Sequence, residues 1–400
     1  MLSHKSIFIT VAVFYLFIIP FFFHPDLKII TFLSQFLTQG VGNIYQFIAT
    51  HPDQSHLGPF VYPPLAYFFL GLVFPVLKLL AGPSFTQWLA MGNDAVAIPH
   101  IFRFLFLIKL PLILVHLTAG FYLAKLVLGY RAQKLALLVW FFNPVSIYVI
   151  GLMGQIDIWP VLATILAVMW SKDKPYLAAL ALGIGAAFKT YPLLLLPFLA
   201  LLSSRKNFTS LAIFVTGLLP FIVSILPYLT TPQFYTDTLA SGLSQRIFDL
   251  SLSVGFNERI LLIPAYLIIL VLLAFHSHRG MVKHFWHYAL AVTLLPIAFS
   301  HFHPQWMLWS LPFISLFLAQ KWQTLPAMGL FLGYLGTVAL IPDKFLTLGL
   351  VSPLQPEILF LPPLASLLPQ AVLVQSLFHT LFAASAVWIT WQAFTKLEHV

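Results

Sequence analysis

A few acids, amines and imidazoles stand out in an otherwise apolar chain. Asp26 follows the first apolar run, in the string FFFHPD. Arg103 and Lys109 open another run, and Gln155 and Asp157 interrupt a third in GLMGQIDIW. Lys189 and Tyr191 lie in AAFKTYPLLLLP, and His301, His303 and Gln305 in SHFHPQWMLW. Ionisable groups are costly in lipid, so each is a candidate for function. Lys189, Arg103 and Lys109 can neutralise a phosphate. Asp26 or Asp157 can take a proton from an attacking hydroxyl. Gln155, Tyr191, the two histidines and Gln305 can hold hydroxyl or phosphate groups. This set suits transfer of a group from a lipid-borne phosphate to an alcohol. Neither the G-x-x-x-x-G-K-[ST] loop nor the G-x-G-x-x-G pattern of nucleotide sites is present.

The elements that must position these residues are membrane helices. Hydrophobic residues make up 60% of the 400, charged residues only 8%, and mean hydropathy is +0.95. With 20 basic and 11 acidic side chains the chain cannot clothe a soluble surface of this size. Disulfide scaffolds and thiolate zinc sites are excluded by the absence of cysteine. Scattered single basic residues indicate loop anchors and no nucleic-acid surface.

A span needs roughly 20 apolar residues. Twelve runs are read as spans: 6–23, 102–127, 135–153, 157–171, 175–188, 190–202, 208–228, 260–275, 284–300, 305–319, 324–341 and 371–392. They form one all-α, polytopic domain over 1–400, with the first run a retained anchor. With the N-terminus and Lys5 cytoplasmic, 12 of the 20 basic residues fall in short inside segments, including Arg131, Lys134, Lys172, Lys174, Arg205, Lys206, Arg279, Lys283, Lys321 and Lys396. Only Asp173 and Glu398 among the acids join them, so both termini are expected inside. Were 61–81 also a span, every later basic loop would move outside. It carries Pro63, Pro64, Pro75 and Lys78 and is expected to be re-entrant or interfacial. Three large extracytoplasmic loops follow: 24–101, 229–258 and 343–370. The candidate residues then share the extracytoplasmic end.

Plainer roles compete for some of these residues. Asp26 can be a solvated helix-end residue, and Asp157 is as well suited to cap a helix as to line a pocket. Lys189 can snorkel to the interface. Arg103 and Lys109, six apart, do not share a helix face, and Lys109 is deep enough to pair with a buried carbonyl or acid. His301 and His303, at i and i+2, do not share a helix face as metal ligands would, so hydrogen bonding to sugar or phosphate is the preferred role; no cofactor is expected, with a divalent metal left open. Tyr62-Pro63-Pro64 reads as a bend.

In order and spacing, Asp26, Gly40, YPPLAYF, LVWFFNPVSIYVIGLMGQID, AAFKTYPLLLLP and HFHPQWMLWSLP resemble the GT-C class of integral-membrane glycosyltransferases. Within that class the layout is most similar to the catalytic subunit of the first GPI mannosyltransferase and its prokaryotic relatives. The likeness covers about the first 205 residues, with a weaker stretch at 301–313. It implies a polyprenyl-phosphate sugar donor, inverting transfer outside the cytoplasm and a catalytic carboxylate in the first outer loop, where only Asp26 matches. The GPI enzyme has an Asp-x-Asp pair at that place. Here it reads His24-Pro25-Asp26, which removes one acid and the ground for inferring its metal or its acceptor. A hexose, by family weighting mannose, passed to a glycan, glycolipid or protein hydroxyl is the expectation.

Two other functions compete. A transporter or flippase of lipid-linked substrates would favour internal repeats and mid-membrane charges. This chain shows no repeat, and its charges gather at one face. A ligase or acyltransferase would use His301 or His303 as base.

Overall fold

The computed structural model describes residues 3–54, 58–92, 94–240, 245–301 and 303–395. Phe302 and the expected inside-tail residues Lys396 and Glu398 lie outside these. The described chain is helical apart from one antiparallel hairpin, Ser251–Gly255 with Glu258–Leu261, at the end of the second large loop. Each of the twelve apolar runs contains helix. Pro25, Pro64, Pro144 and Pro175 open helices, where the missing N–H costs nothing and the fixed φ suits the first turn.

Length separates these helices. His4–Phe21, Pro64–Ala81, Ile101–Lys125, Asn207–Tyr228 and Ala371–Thr395 are long and apolar enough to cross a membrane. Tyr130–Phe142 with Pro144–Met153, bent by 40°, makes a sixth. The remaining runs fall short of the twelve expected spans. Ile158–Trp170 has 13 residues, about 20 Å of helix against an apolar core of about 30 Å. Three of the short helices end or begin at candidate residues. The helix before Gln155 widens into a π-helical turn over Ile147–Met153 and stops at Gly154, at φ +77°. Pro175–Phe188 ends as Lys189 turns extended, at φ −160°. Such irregular backbone is tolerated at depth only where protein or a cavity surrounds it.

Glycines bring helices close. A Cβ at Gly183 would lie 2.1 Å from the Gly217 carbonyl oxygen, so Pro175–Phe188 and Asn207–Ile225 touch backbone to backbone. Large apolar side chains such as Leu79, Phe208 and Leu325 remain exposed, a surface suited to lipid and not to water.

Pro64–Ala81 meets the length and hydropathy of a span, yet both of its ends meet one end of the bundle. Just before its start, the Tyr62 ring lies 5.4 Å from the Lys189 ammonium. At its finish, the Ala81 carbonyl accepts from the Arg103 guanidinium. Phe69 packs on Trp159 and Phe188 between them. Both ends of this helix thus contact segments near the end of the bundle that carries Asp26 and Lys189. The three large loops meet there too. Asn43 donates to Thr231, the Tyr228 hydroxyl to the Gly42 carbonyl, and Phe23 N–H to the Leu350 carbonyl.

Candidate active site at the loop-bearing end of the bundle

Asp26 sits in the first turn of the helix Pro25–Ser34. His24 caps that helix, its Nδ1 accepting from the Asp26 N–H at 3.3 Å. Burial pulls the His24 imidazole below its usual pKa, against the attraction of Asp26 and Asp343. A neutral ring 3.6 Å from the carboxylate is a neighbour, not a salt-bridge partner. The Gln155 amide nitrogen donates to Asp26 Oδ2 at 2.9 Å, across 129 residues of chain. The Asp26 side chain keeps 35% exposure, so it is both oriented and accessible.

Gln155 is delivered by a clamp. The Lys109 ammonium donates to the carbonyls of Phe22, Gly151 and Leu152 at 2.7, 3.2 and 2.6 Å. Phe22 leads into His24 and Asp26, and Leu152 leads into Gln155 and Asp157, so one buried cation ties both acid-bearing segments together. Gly154 is needed beside it. A Cβ there would meet the Lys109 stem at 2.9 Å, in a left-handed backbone conformation that side chains disfavour.

Asp157 and Lys189 form one unit. The ammonium donates to both carboxylate oxygens, at 2.7 and 2.9 Å, and the Trp309 indole adds a third donor at 2.6 Å. Asp157 is fully buried, whereas Lys189 keeps 18% exposure. The two residues expected as separate acid and phosphate ligand are thus an ion pair, with the lysine at the open side. Its ammonium lies 5.4 Å from the Tyr62 ring and 5.3 Å from that of Trp309, within cation–π range. Tyr191 stacks on Trp309 at 4.3 Å, and Trp306 lies 5.3 Å from Trp309 on the other side.

Two cavities meet here and share Val61, Tyr62 and Gln305. The first, about 260 Å³, is polar on one side, with His24, Asp26, His303, Gln305 and Asp343. The second, about 350 Å³, is walled by Lys189, Tyr191, Leu193, Leu194, Trp306 and Trp309. In their walls the buried atoms His303 Nε2 and Gln305 Oε1 have no hydrogen-bond partner. Buried polar atoms are seldom left unpaired, so this set suits a ligand rich in hydroxyls. Burial, then Arg246 and Lys189, push His303 down to about 4, which leaves it a neutral hydrogen-bonding ring near pH 7.

Several expected residues stand elsewhere. Arg103 spends its guanidinium on Ala81 and lines neither cavity. Lys109 takes the buried-carbonyl role, so neither of the pair reaches the pocket. His301 faces a separate small cavity with His379 and Gln375. Among the described residues no group of three or more His, Asp or Glu is arranged to hold a metal ion. Sequence reasoning passed over Trp309, Tyr62 and Asp343. Trp309 follows Gln305 by four residues, a spacing that puts both on one helical side. Tyr62 had been given only a bending role, and Asp343 sits in a Pro-rich loop with no local signal. No protein-family model matches this chain, and no curated protein does.

Proposed function

We propose that this protein is a membrane glycosyltransferase of GT-C type that moves a sugar from a polyprenyl-phosphate donor to an acceptor hydroxyl. One observation carries the reading: an oriented, accessible carboxylate, Asp26, stands in a polar cavity that adjoins a cavity holding a lysine and several aromatic rings. The first cavity suits sugar and acceptor hydroxyls. The second suits a phosphate on an apolar chain. Lys172 and Lys283, with Arg205 and Arg279 beside them, stand together past the far end of the helix that follows Asp157, which supports an extracytoplasmic site.

In this mechanism Asp26 accepts the proton of the acceptor hydroxyl while Gln155 holds its other oxygen. The hydroxyl oxygen attacks the anomeric carbon from the face opposite the phosphate, giving inversion. The carbon–oxygen bond to phosphate breaks, and polyprenyl phosphate leaves with the electron pair. Lys189, oriented by Asp157, offers its remaining N–H to the growing phosphate charge. His303 and Gln305 bond the sugar hydroxyls.

The test is radiolabel transfer from polyprenyl-phosphate mannose, glucose, galactose and pentose donors by the purified protein in nanodiscs. Asp26→Asn keeps an acceptor for Gln155 and should lose at least roughly 10²-fold in turnover. Undiminished turnover in Asp26→Asn ends the mechanism. Wild-type protein that translocates these lipids without transferring the sugar ends the reading in favour of a flippase.

A further inference from the structure

The opposite end of the bundle holds a cavity of about 520 Å³ between the end of Ile158–Trp170 and the start of Phe285–Ala298. Lys172 and Lys283 line it, with Ser171 and Gly280 beside them and Val168, Phe285 and Trp286 as apolar walls. Three loops meet there, 171–174, 203–207 and 277–284. They carry six basic residues and one acid, Asp173, which does not line the cavity.

The rim is held in shape without using these lysines. Gly280, at φ +76°, donates its N–H to the Leu201 carbonyl and leaves room for the Arg205 stem, which a Cβ would meet at 2.7 Å. Arg205 donates to the Arg279 carbonyl, and Arg279 to the Asn207 side chain. Both arginines are therefore committed to the loop. Lys172 and Lys283 have no hydrogen bond and no acidic partner among the described residues. A fixed concavity with two free ammonium groups on one side and aromatic and aliphatic walls on the other matches an amphiphile with an anionic head.

We infer that this cavity binds the phosphate headgroup of an anionic phospholipid from the leaflet at that end, with Lys172 and Lys283 on the phosphate and Phe285 and Trp286 against the first part of the acyl chains. The inference is independent of the transfer reaction proposed above. Its ligand chemistry, a phosphate ester, is shared by soluble phosphate, and the apolar walls favour the lipid.

The experiment uses the purified, delipidated full chain in non-ionic detergent. Native mass spectrometry reads binding of phosphatidylglycerol against phosphatidylcholine, with inorganic phosphate as competitor. Wild type should prefer phosphatidylglycerol. Lys172→Gln with Lys283→Gln should weaken that binding roughly 30-fold, from about fivefold per lysine. Lys174→Gln with Lys206→Gln removes the same charge from the same end but outside the cavity, and should keep the preference. Equal loss in both double variants, or equal binding of the two lipids by wild type, overturns the site. Full displacement by millimolar inorganic phosphate overturns the lipid assignment in favour of a soluble anion. Melting temperatures of both double variants, matched to wild type, establish that lost binding is not lost fold.

Discussion

Removing Lys189 should cost far more than a surface lysine would. Asp157 has no exposed surface, and two of its three donors come from the one ammonium, at 2.7 and 2.9 Å. Lys189→Met leaves a buried carboxylate with only the Trp309 indole. Loss of one member of a buried pair costs about 3–5 kcal/mol, because the orphaned charge stays desolvated. Asp157→Asn should cost less, since Asn still accepts from the indole and the 18% exposed lysine can turn to water. The double variant removes both charges. It should be more stable than the sum of the singles predicts by about 2–3 kcal/mol, the scale of coupling for residues in direct contact. Reversible unfolding in mixed micelles, across wild type, both singles and the double, measures that cycle. A Lys189→Met cost below about 1 kcal/mol would place the pair with solvated surface bridges. The burial argument, and with it the fixed orientation of Lys189 toward its cavity, would then be wrong.

Two further outcomes follow from the same geometry. Lys109→Met withdraws the donor from three buried carbonyls and should destabilise the protein by about 2–4 kcal/mol. In the transfer assay it should lower kcat more than it raises the donor KM, because it shifts Gln155 and Asp26 and leaves Lys189 and its aromatic rings in place. Equal changes in both parameters would reduce Lys109 to a general structural role. His303 titrates near 4 in the fold against an ordinary 6.5. The unfolded chain therefore binds the proton more readily, and the stability this ring contributes is complete above pH 6.5 and lost as pH falls toward 4. The melting temperature of wild type should fall more steeply over that window than that of His303→Gln, and parallel curves would refute the assignment.

The helices were legible because their causes are local. Uninterrupted apolar runs locate the helices within them, whereas Pro25–Ser34, which carries Asp26, and Ser84–Ala90 lie in the stretch read as the first outer loop. That 61–81 forms one apolar helix opened by Pro64 was legible locally too. The number of spans was not. Apolar runs show where a helix can form, while the lengths of Ile158–Trp170 and Pro175–Phe188 are cut by the turns that present Gln155, Asp157 and Lys189.

The candidate site divides in the same way. Asp26, Asp157, Lys189 and Gln155 were singled out because polar groups in so apolar a chain require a reason to be there, and for Asp26 the family resemblance added the catalytic role. Which of them pair was decided by packing. Asp26 meets Gln155 across 129 positions and Asp157 meets Trp309 across 152. Lys109, Lys189 and Arg103 were all candidate phosphate ligands by residue type, and only the depth of Lys109 in its run hinted at another role. One clamps backbone, one pairs with a carboxylate and one holds a helix end, since each answers to the nearest unpaired oxygen. Local sequence controls which groups enter the membrane. Their partners are set by distances that exist only once the helices have closed on one another.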